Sequence, residues 1–322
     1  MSDTMRAIVL DAPGPPEALA ERRLPIPEPR PGQVLIKVTA FGLNRSELHL
    51  RLGLAENATF PRVPGIEATG VVAAAPGGEF AAGQQVMAMM GGMGRSYDGG
   101  YAEYTLVPAR QVVPFHSDRP AAELGAIPET LQTAYGSLTV GLDARRGQSV
   151  LIRGGTSSVG LTAAVLAKHW GLTVLATTRS AAKADALRGA GVDHVLFDDG
   201  RVADQARAIL PDGVDGAIEL VGAPTLRDTL RAVRVQGTVC FSGLLSDEWI
   251  VKDFYPIDYL PTGVRLTSYS GDAPNLPAAA LQEFLDAGLR VPVAKVYPFE
   301  RIADAHDDME NNRVAGKLVV TV

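Results

Sequence analysis

The spacing of apolar positions changes near residue 121. Before it, short runs with strand chemistry are separated by turns rich in Gly and Pro: Arg6–Leu10, Val34–Ala40, Gly70–Ala74, Gln85–Met89 and Ala102–Pro108. Gly77-Gly78, Gly91-Gly92 and Gly99-Gly100 punctuate this segment. The stretch PIPEPRPG at 25–32 places four prolines in eight residues, which forbids a helix and predicts an extended connector. No long structureless insertion is needed, so the pattern predicts a barrel-like β unit.

Beyond residue 121, strand-like runs alternate with segments of helical length. The runs are Ser149–Arg153, Thr173–Thr177, His194–Phe197, Ala217–Val221 and Thr238–Ser242. Between them lie Val159–Trp170, Ala181–Ala190, Arg201–Leu210 and Pro224–Val233. This alternation predicts a parallel sheet covered by helices on both faces. From about Val291 the chain returns to short strands and ends in KLVVTV at 317–322. The reading is an α/β chain with a β domain at 1–122 completed by 289–322, and an inserted domain at 123–288.

Composition narrows the function classes. Of 322 residues, 46% are apolar and 20% charged, which excludes wholesale disorder. Thirty Lys and Arg against 36 Asp and Glu give a net charge of −6, which disfavours nucleic acid as a partner. A single cysteine, Cys240, excludes an internal disulfide framework and a multi-cysteine zinc site. No apolar window reaches the ~18 residues of a membrane span, and MSDTMRAIVL lacks signal-peptide chemistry. The expectation is a soluble cytoplasmic protein with no membrane partner.

The sharpest local signal is SVLIRGGTSSVGLTAAVLAKHWG at 149–171, a buried strand, a glycine turn and a helix. A helix start carries unpaired N–H groups and partial positive charge, which together hold a diphosphate. Gly155 and Gly160 fit the dinucleotide fingerprint, with Ser157 in the second glycine place, where its hydroxyl is a candidate phosphate donor. Thr156, Ser158 and Val159 complete the candidate turn; a tight turn with no ligand is the alternative. At the end of the next strand, where an NAD-binding chain carries an acid, stand Thr178, Arg179, Ser180 and Lys183. Two cations and a hydroxyl suit a 2′-phosphate, so the expected cofactor is NADPH. The alternative makes the two cations solvated residues of a helix start.

Three stretches, in order along the chain, resemble the medium-chain dehydrogenase/reductase superfamily and its zinc-free quinone oxidoreductase branch. FGLNRSELHLRLG at 41–53 is similar to an Asn-x-x-Asp-x-x-x-Arg-x-Gly signature with Glu47 in the Asp place; VPGIEATGVV at 63–72 and PETLQTAYGSL at 128–138 follow. The resemblance implies a GroES-like β-barrel domain and a Rossmann doubly wound domain, with NAD(P)H in the cleft, and a homodimer or homotetramer. Where zinc-dependent relatives place a Cys and a His ligand, this chain has Asn44 and Ile66. Neither can serve as those ligands do, so no metal is expected.

The resemblance assigns Asn44 to the nicotinamide and to catalysis, with Arg51 and His49 as further catalytic candidates and Tyr97 on a glycine-rich loop beside Met89, Met90 and Met93. Plainer readings stand beside each: a turn-capping Asn44, an Arg51–Glu47 ion pair at helical spacing, an exposed His49, and methionines that merely pack. Thr133, Val221, Gly222, Ser242, Gly243 and Lys317 are further cofactor candidates, Lys317 alternatively being a solvated edge lysine. Tyr135, Trp249, Phe254 and Tyr255 are possible neighbours of the cofactor or acceptor, and Asp198 stands where relatives place a Tyr. The expected function is metal-free, NADPH-dependent reduction of quinones or enones by hydride transfer. An alcohol or carbonyl dehydrogenase and a non-catalytic, crystallin-like NADPH-binding protein are the alternatives.

Overall fold

In the computed structural model, residues 4–55 and 58–322 are described. The chain forms two units, Met1–Gln132 with Asp272–Val322, and Thr133–Gly271. The boundaries fall later than 122 and earlier than 288, for a visible reason. Leu124 already binds the first unit, its carbonyl accepting from Thr69 Oγ1 at 3.2 Å. The helix Ala278–Asp286 is tied there as well: Gln282 bonds both backbone groups of His116, and Arg119 donates to the carbonyls of Leu285 and Leu289.

The first unit is organised around Gln33–Gly42, whose buried positions continue through nearly its whole length. It pairs antiparallel with Glu67–Ala74, with Tyr104–Pro108, and with the C-terminal strand Lys317–Thr321, Val320 lying opposite Phe41. Val293–Pro298 extends this sheet beyond Lys317–Thr321, and Gln85–Met89 and Val112–Pro114 extend it beyond Glu67–Ala74. The strand pair Thr4–Leu10 and Leu19–Pro25 adds a separate ribbon. Ile36, Val38, Phe41, Val86, Tyr101, Phe299 and Val320 fill one core, with the Phe41 and Tyr101 rings stacked 4.4 Å apart. Burial of such side chains stabilises by roughly 1.5–3 kcal/mol each relative to exposure. Both chain ends are thereby held in one sheet.

The second unit is a six-stranded parallel sheet in the order His194–Phe197, Thr173–Thr178, Ser149–Arg153, Val214–Glu219, Val233–Phe241, Arg265–Ser268. Helices Val202–Ile209 and Ala223–Ala232 pack Val202, Ala206, Leu226 and Leu230 against Leu151, Leu175 and Val239. Two strands start earlier than the apolar runs suggest, and end at Glu219 and Phe241. The sixth strand reads Arg-Leu-Thr-Ser, with no apolar run to announce it. No helix among the described residues is long and apolar enough to cross a membrane.

Candidate functional site

In the second unit, Ser149–Arg153 delivers the chain to Gly154, which takes a φ of +81° open to glycine at little cost. Thr177 on the adjacent strand holds the turn from both sides. Its Oγ1 accepts from Gly154 N at 3.0 Å and its carbonyl from Gly155 N at 3.1 Å. A Cβ on Gly160 would lie 2.6 Å from the Gly154 carbonyl, so this position is closed to larger residues. The helix Ser158–His169 follows. Ser157 has a different task from the phosphate donation expected of it. Its hydroxyl donates to Gly154 O at 2.8 Å and accepts from Gly160 N at 3.1 Å, so it caps the helix. The candidate anion site is left to backbone N–H groups at the helix start, those of Thr156 before the cap and of Ser158 and Val159 in the first turn.

Beside that turn, Thr178 ends its strand and closes a tight turn, its hydroxyl bonding Ser180 N and Ser180 O at 3.1 Å each. Arg179 is exposed and Lys183 half-buried. Burial and the neighbouring Arg179 charge push the Lys183 ammonium below its usual range. Two like charges held together suit an anion. Asp198, whose N–H bonds Thr178 O at 2.9 Å, is turned inward and gripped by Arg153 Nε and Nη2 at 2.6 and 2.7 Å. Arg153, with a fully buried side chain, also holds Asp228 at 2.6 Å. Asp198, which adjoins the Thr178 end, is thus ion-paired within its own unit.

Farther along the sheet, Val221 and Gly222 lie past the strand end, where both N–H groups bond the buried Glu219 carboxylate at 2.7 and 3.1 Å. The Ser242 and Ser137 hydroxyls are hydrogen-bonded at 2.8 Å, and a Cβ on Gly243 would sit 2.5 Å from Leu220 O. Ser137 Oγ bonds the Thr133 carbonyl as well. Tyr135 stands edge-on to Trp170. Trp249, Phe254 and Tyr255 are all exposed.

In the first unit, a cluster of charges is buried around Lys317. Its Nζ lies 2.5 Å from Asn44 Oδ1, 2.7 Å from Glu67 Oε1 and 3.6 Å from Glu129 Oε2, and the side chain has no exposure. Lys317 is therefore no solvated edge residue. Burial alone would lower its pKa, but Glu67 and Glu129 outweigh burial and hold it above the usual lysine value. Asn44 Nδ2 donates to Glu67 Oε1 at 2.9 Å, and Glu129 N to Glu67 Oε2 at 2.7 Å. Glu47 accepts from Asn44 N at 2.8 Å and from Ile66 N at 2.7 Å, closing a box at the start of helix Arg45–Arg51. Burial, with the nearby Glu67 adding to it, pushes the Glu47 carboxyl up to about 7.

Sequence spacing suggested an Arg51–Glu47 pair, but Glu47 is spent on those N–H groups. Arg51 turns instead to Glu310, to Gly14 O at 2.8 Å and to the His306 ring. Its side chain is 1% exposed, so it joins two helices and a loop. His49 lies half-buried on the same helix. Tyr97 donates to Gln111 Oε1, Gln111 Nε2 reaches Met90 O at 2.9 Å, and burial raises the Tyr97 pKa. Met89 and Met93 are buried in the unit, as core packing requires. The Lys317–Glu67 pair, Gly42 behind it and Gln111 were not singled out together in the sequence. Lys317 was named there as a cofactor candidate, and Glu67 lies within the stretch 63–72, but nothing joined the two.

A cation site is poorly served here. The ammonium of Lys317 already lies against Asn44 Oδ1 and Glu67, where a divalent ion would meet a fixed positive charge. Among the described residues, no group of three or more His, Cys, Asp and Glu is arranged to hold a metal ion. The residues present do not fit zinc.

Two family models match the chain: an alcohol dehydrogenase GroES-like domain at 30–117 and a zinc-binding dehydrogenase domain at 190–320. The quinone oxidoreductases of Lama guanicoe and Homo sapiens are each 30% identical, covering 98% of this chain and 97% of their own. Among solved structures, AibC matches with a TM-score of 0.89 at 28% identity, over 100% of this chain and 96% of its own. A mycobacterial quinone oxidoreductase gives 0.85 at 28%, over 99% and 100%. A mycobacterial protein complexed with NADPH gives 0.86 at 27%, over 99% and 100%.

Proposed function

The chain belongs to the medium-chain dehydrogenase/reductase superfamily, in its quinone oxidoreductase-like branch, and from that premise we propose that it reduces quinones or enones with NADPH and without a metal. The observation that carries this reading is the occupant of the buried cluster, the Lys317 ammonium, in place of an ion that would acidify an alcohol.

NADPH, when bound, supplies the hydride. The chain's residues do the rest. The turn 154–160 offers backbone N–H groups to the diphosphate, while Arg179, Lys183 and Ser180 receive the 2′-phosphate. Asn44 orients the reacting end and offers an amide N–H to the oxygen on which charge develops. A conjugated acceptor spreads that charge itself, so one neutral donor suffices. A simple alcohol has to lose a proton as hydride leaves, and a single neutral amide donor does little to take up the alkoxide charge.

The test is steady-state turnover of small quinones and enones with NADPH and NADH, beside ethanol with NADP. Turnover of the first group with NADPH and negligible ethanol oxidation are expected; ethanol rates equal to quinone rates would overturn the reading. Replacing Arg179 and Lys183 together by Ala removes two charge-assisted bonds of about 1.5–3 kcal/mol each. NADPH affinity should fall steeply and NADH affinity hardly change. Equal affinity for both cofactors in the unmodified protein would refute the NADPH assignment.

A further inference from the structure

The carboxamide of Asn44 has two faces that are easily exchanged by a half-turn, and only one of them donates. Its neighbours leave no such choice. Lys317 Nζ carries donors and no acceptor, so the atom 2.5 Å from it is the oxygen. Glu67 Oε1, 2.9 Å from the other atom, already takes the Lys317 ammonium at 2.7 Å as an acceptor, so the atom it meets is the nitrogen. Both partners are wholly buried, whereas Asn44 is half-buried. Of the two amide protons, one goes to Glu67; the other has only the distant approach of Glu47 Oε1 at 3.5 Å.

Gly42 completes the device. A Cβ there would lie 2.1 Å from Lys317 Cε and 2.5 Å from Glu67 Oε1, so the ion pair fills the space a side chain would take. The two partners come from strands far apart in the sequence, 67–74 and 317–321, each hydrogen-bonded to the strand that carries Gly42.

We propose that Lys317 and Glu67 are positioning residues that lock the Asn44 carboxamide in one orientation, so that the group it presents is an N–H donor and not a carbonyl. This rests on the donor role given to Asn44 above. Neither residue touches the substrate; each acts through Asn44. The lock makes the site selective for acceptors that develop negative charge on oxygen, and against groups that would donate to an amide carbonyl.

Two variants release the lock by different routes. Glu67→Gln puts an amide beside Asn44 that donates or accepts equally well, and Lys317→Met removes the obligatory donor. Each is expected to lower kcat on a small quinone by about tenfold or more, with the NADPH dissociation constant within twofold. Hydrogen exchange of the Asn44 side-chain amide, assigned by its loss in Asn44→Asp, should be slow in the unmodified protein and accelerate in both variants. Unchanged exchange in a folded Glu67→Gln variant overturns the proposal, and so does a kcat within twofold of the unmodified protein. If Lys317→Met fails to fold, Glu67→Gln carries both readings. If the unmodified protein turns over no quinone or enone, the functional reading fails, and the exchange measurement still decides the lock.

Discussion

At the residue scale, the first unit turns on how tightly Lys317 is enclosed. Gly42→Ala forces a Cβ to within 2.1 Å of Lys317 Cε, and neither the lysine nor Glu67 has solvent to retreat into. Overpacking of this kind costs about 1–3 kcal/mol. Breaking the ion pair to relieve it would cost more. Gly189 is the control: nothing lies within 4 Å of its added Cβ. Gly189→Ala, in a helix, should be neutral or stabilising by roughly 0.4–1 kcal/mol. Urea unfolding of the two variants reads the contrast, and a Gly42→Ala midpoint at or above that of Gly189→Ala would refute the enclosure. Asn44, Glu67 and Lys317 were each visible as letters. That they meet was not, because contacts between positions 44, 67 and 317 depend on strand pairings that no local pattern encodes.

At the element scale, the strand–turn–helix at 149–169 was legible because burial, glycine spacing and helix composition all point to it. The departure at the fingerprint's second glycine has a local cause. Ser157 Oγ is spent on Gly154 O and Gly160 N, so the serine serves the helix start. Ser157→Ala should therefore destabilise the protein by about 1 kcal/mol, the usual loss of an N-cap. Ser157→Gly should cost only a few tenths. Denaturation midpoints rank the two; a large loss of NADPH affinity in Ser157→Ala without loss of stability would show a phosphate role instead. Strand ends were less legible. In Ala217–Val221, Glu219 stands inside an apolar run, and its carboxylate binds the N–H groups of Val221 and Gly222 and the Thr225 and Thr229 hydroxyls. A buried acid that serves its own loop leaves no mark in an apolar pattern.

At the scale of the whole molecule, the order of the two textures along the chain revealed the architecture, while the boundaries depended on side-chain ties such as Gln282 to His116. The same long-range closure buries titratable groups in the first unit, and their signs give its stability a defined shape against pH. His306, between Arg51 and the Tyr101 hydroxyl, is lowered to about 3 from 6.5, by burial first and the Arg51 charge second. Its neutral form belongs to the fold, so its contribution is present above 6.5 and lost as pH falls toward 3. Glu47, raised to about 7 from 4.5, keeps its proton in the fold; its contribution is present below 4.5 and lost as pH rises through 7. Between 4.5 and 6.5 the unfolded chain binds the His306 proton while the folded chain binds the Glu47 proton, and the two slopes, each about 1.4 kcal/mol per pH unit, cancel. Stability should rise from about 3 to about 4.5, stay level to about 6.5, and decline from there to about 7. Asp308, held well below the usual carboxylate range by Lys295, Tyr297 and Arg313, steepens the acid side. Removing one group at a time separates the slopes. Glu47→Gln should make stability climb through the level region, and His306→Gln should make it fall there. Urea midpoints at half-unit steps of pH read both; a level region that survives in both variants would show that other groups set it.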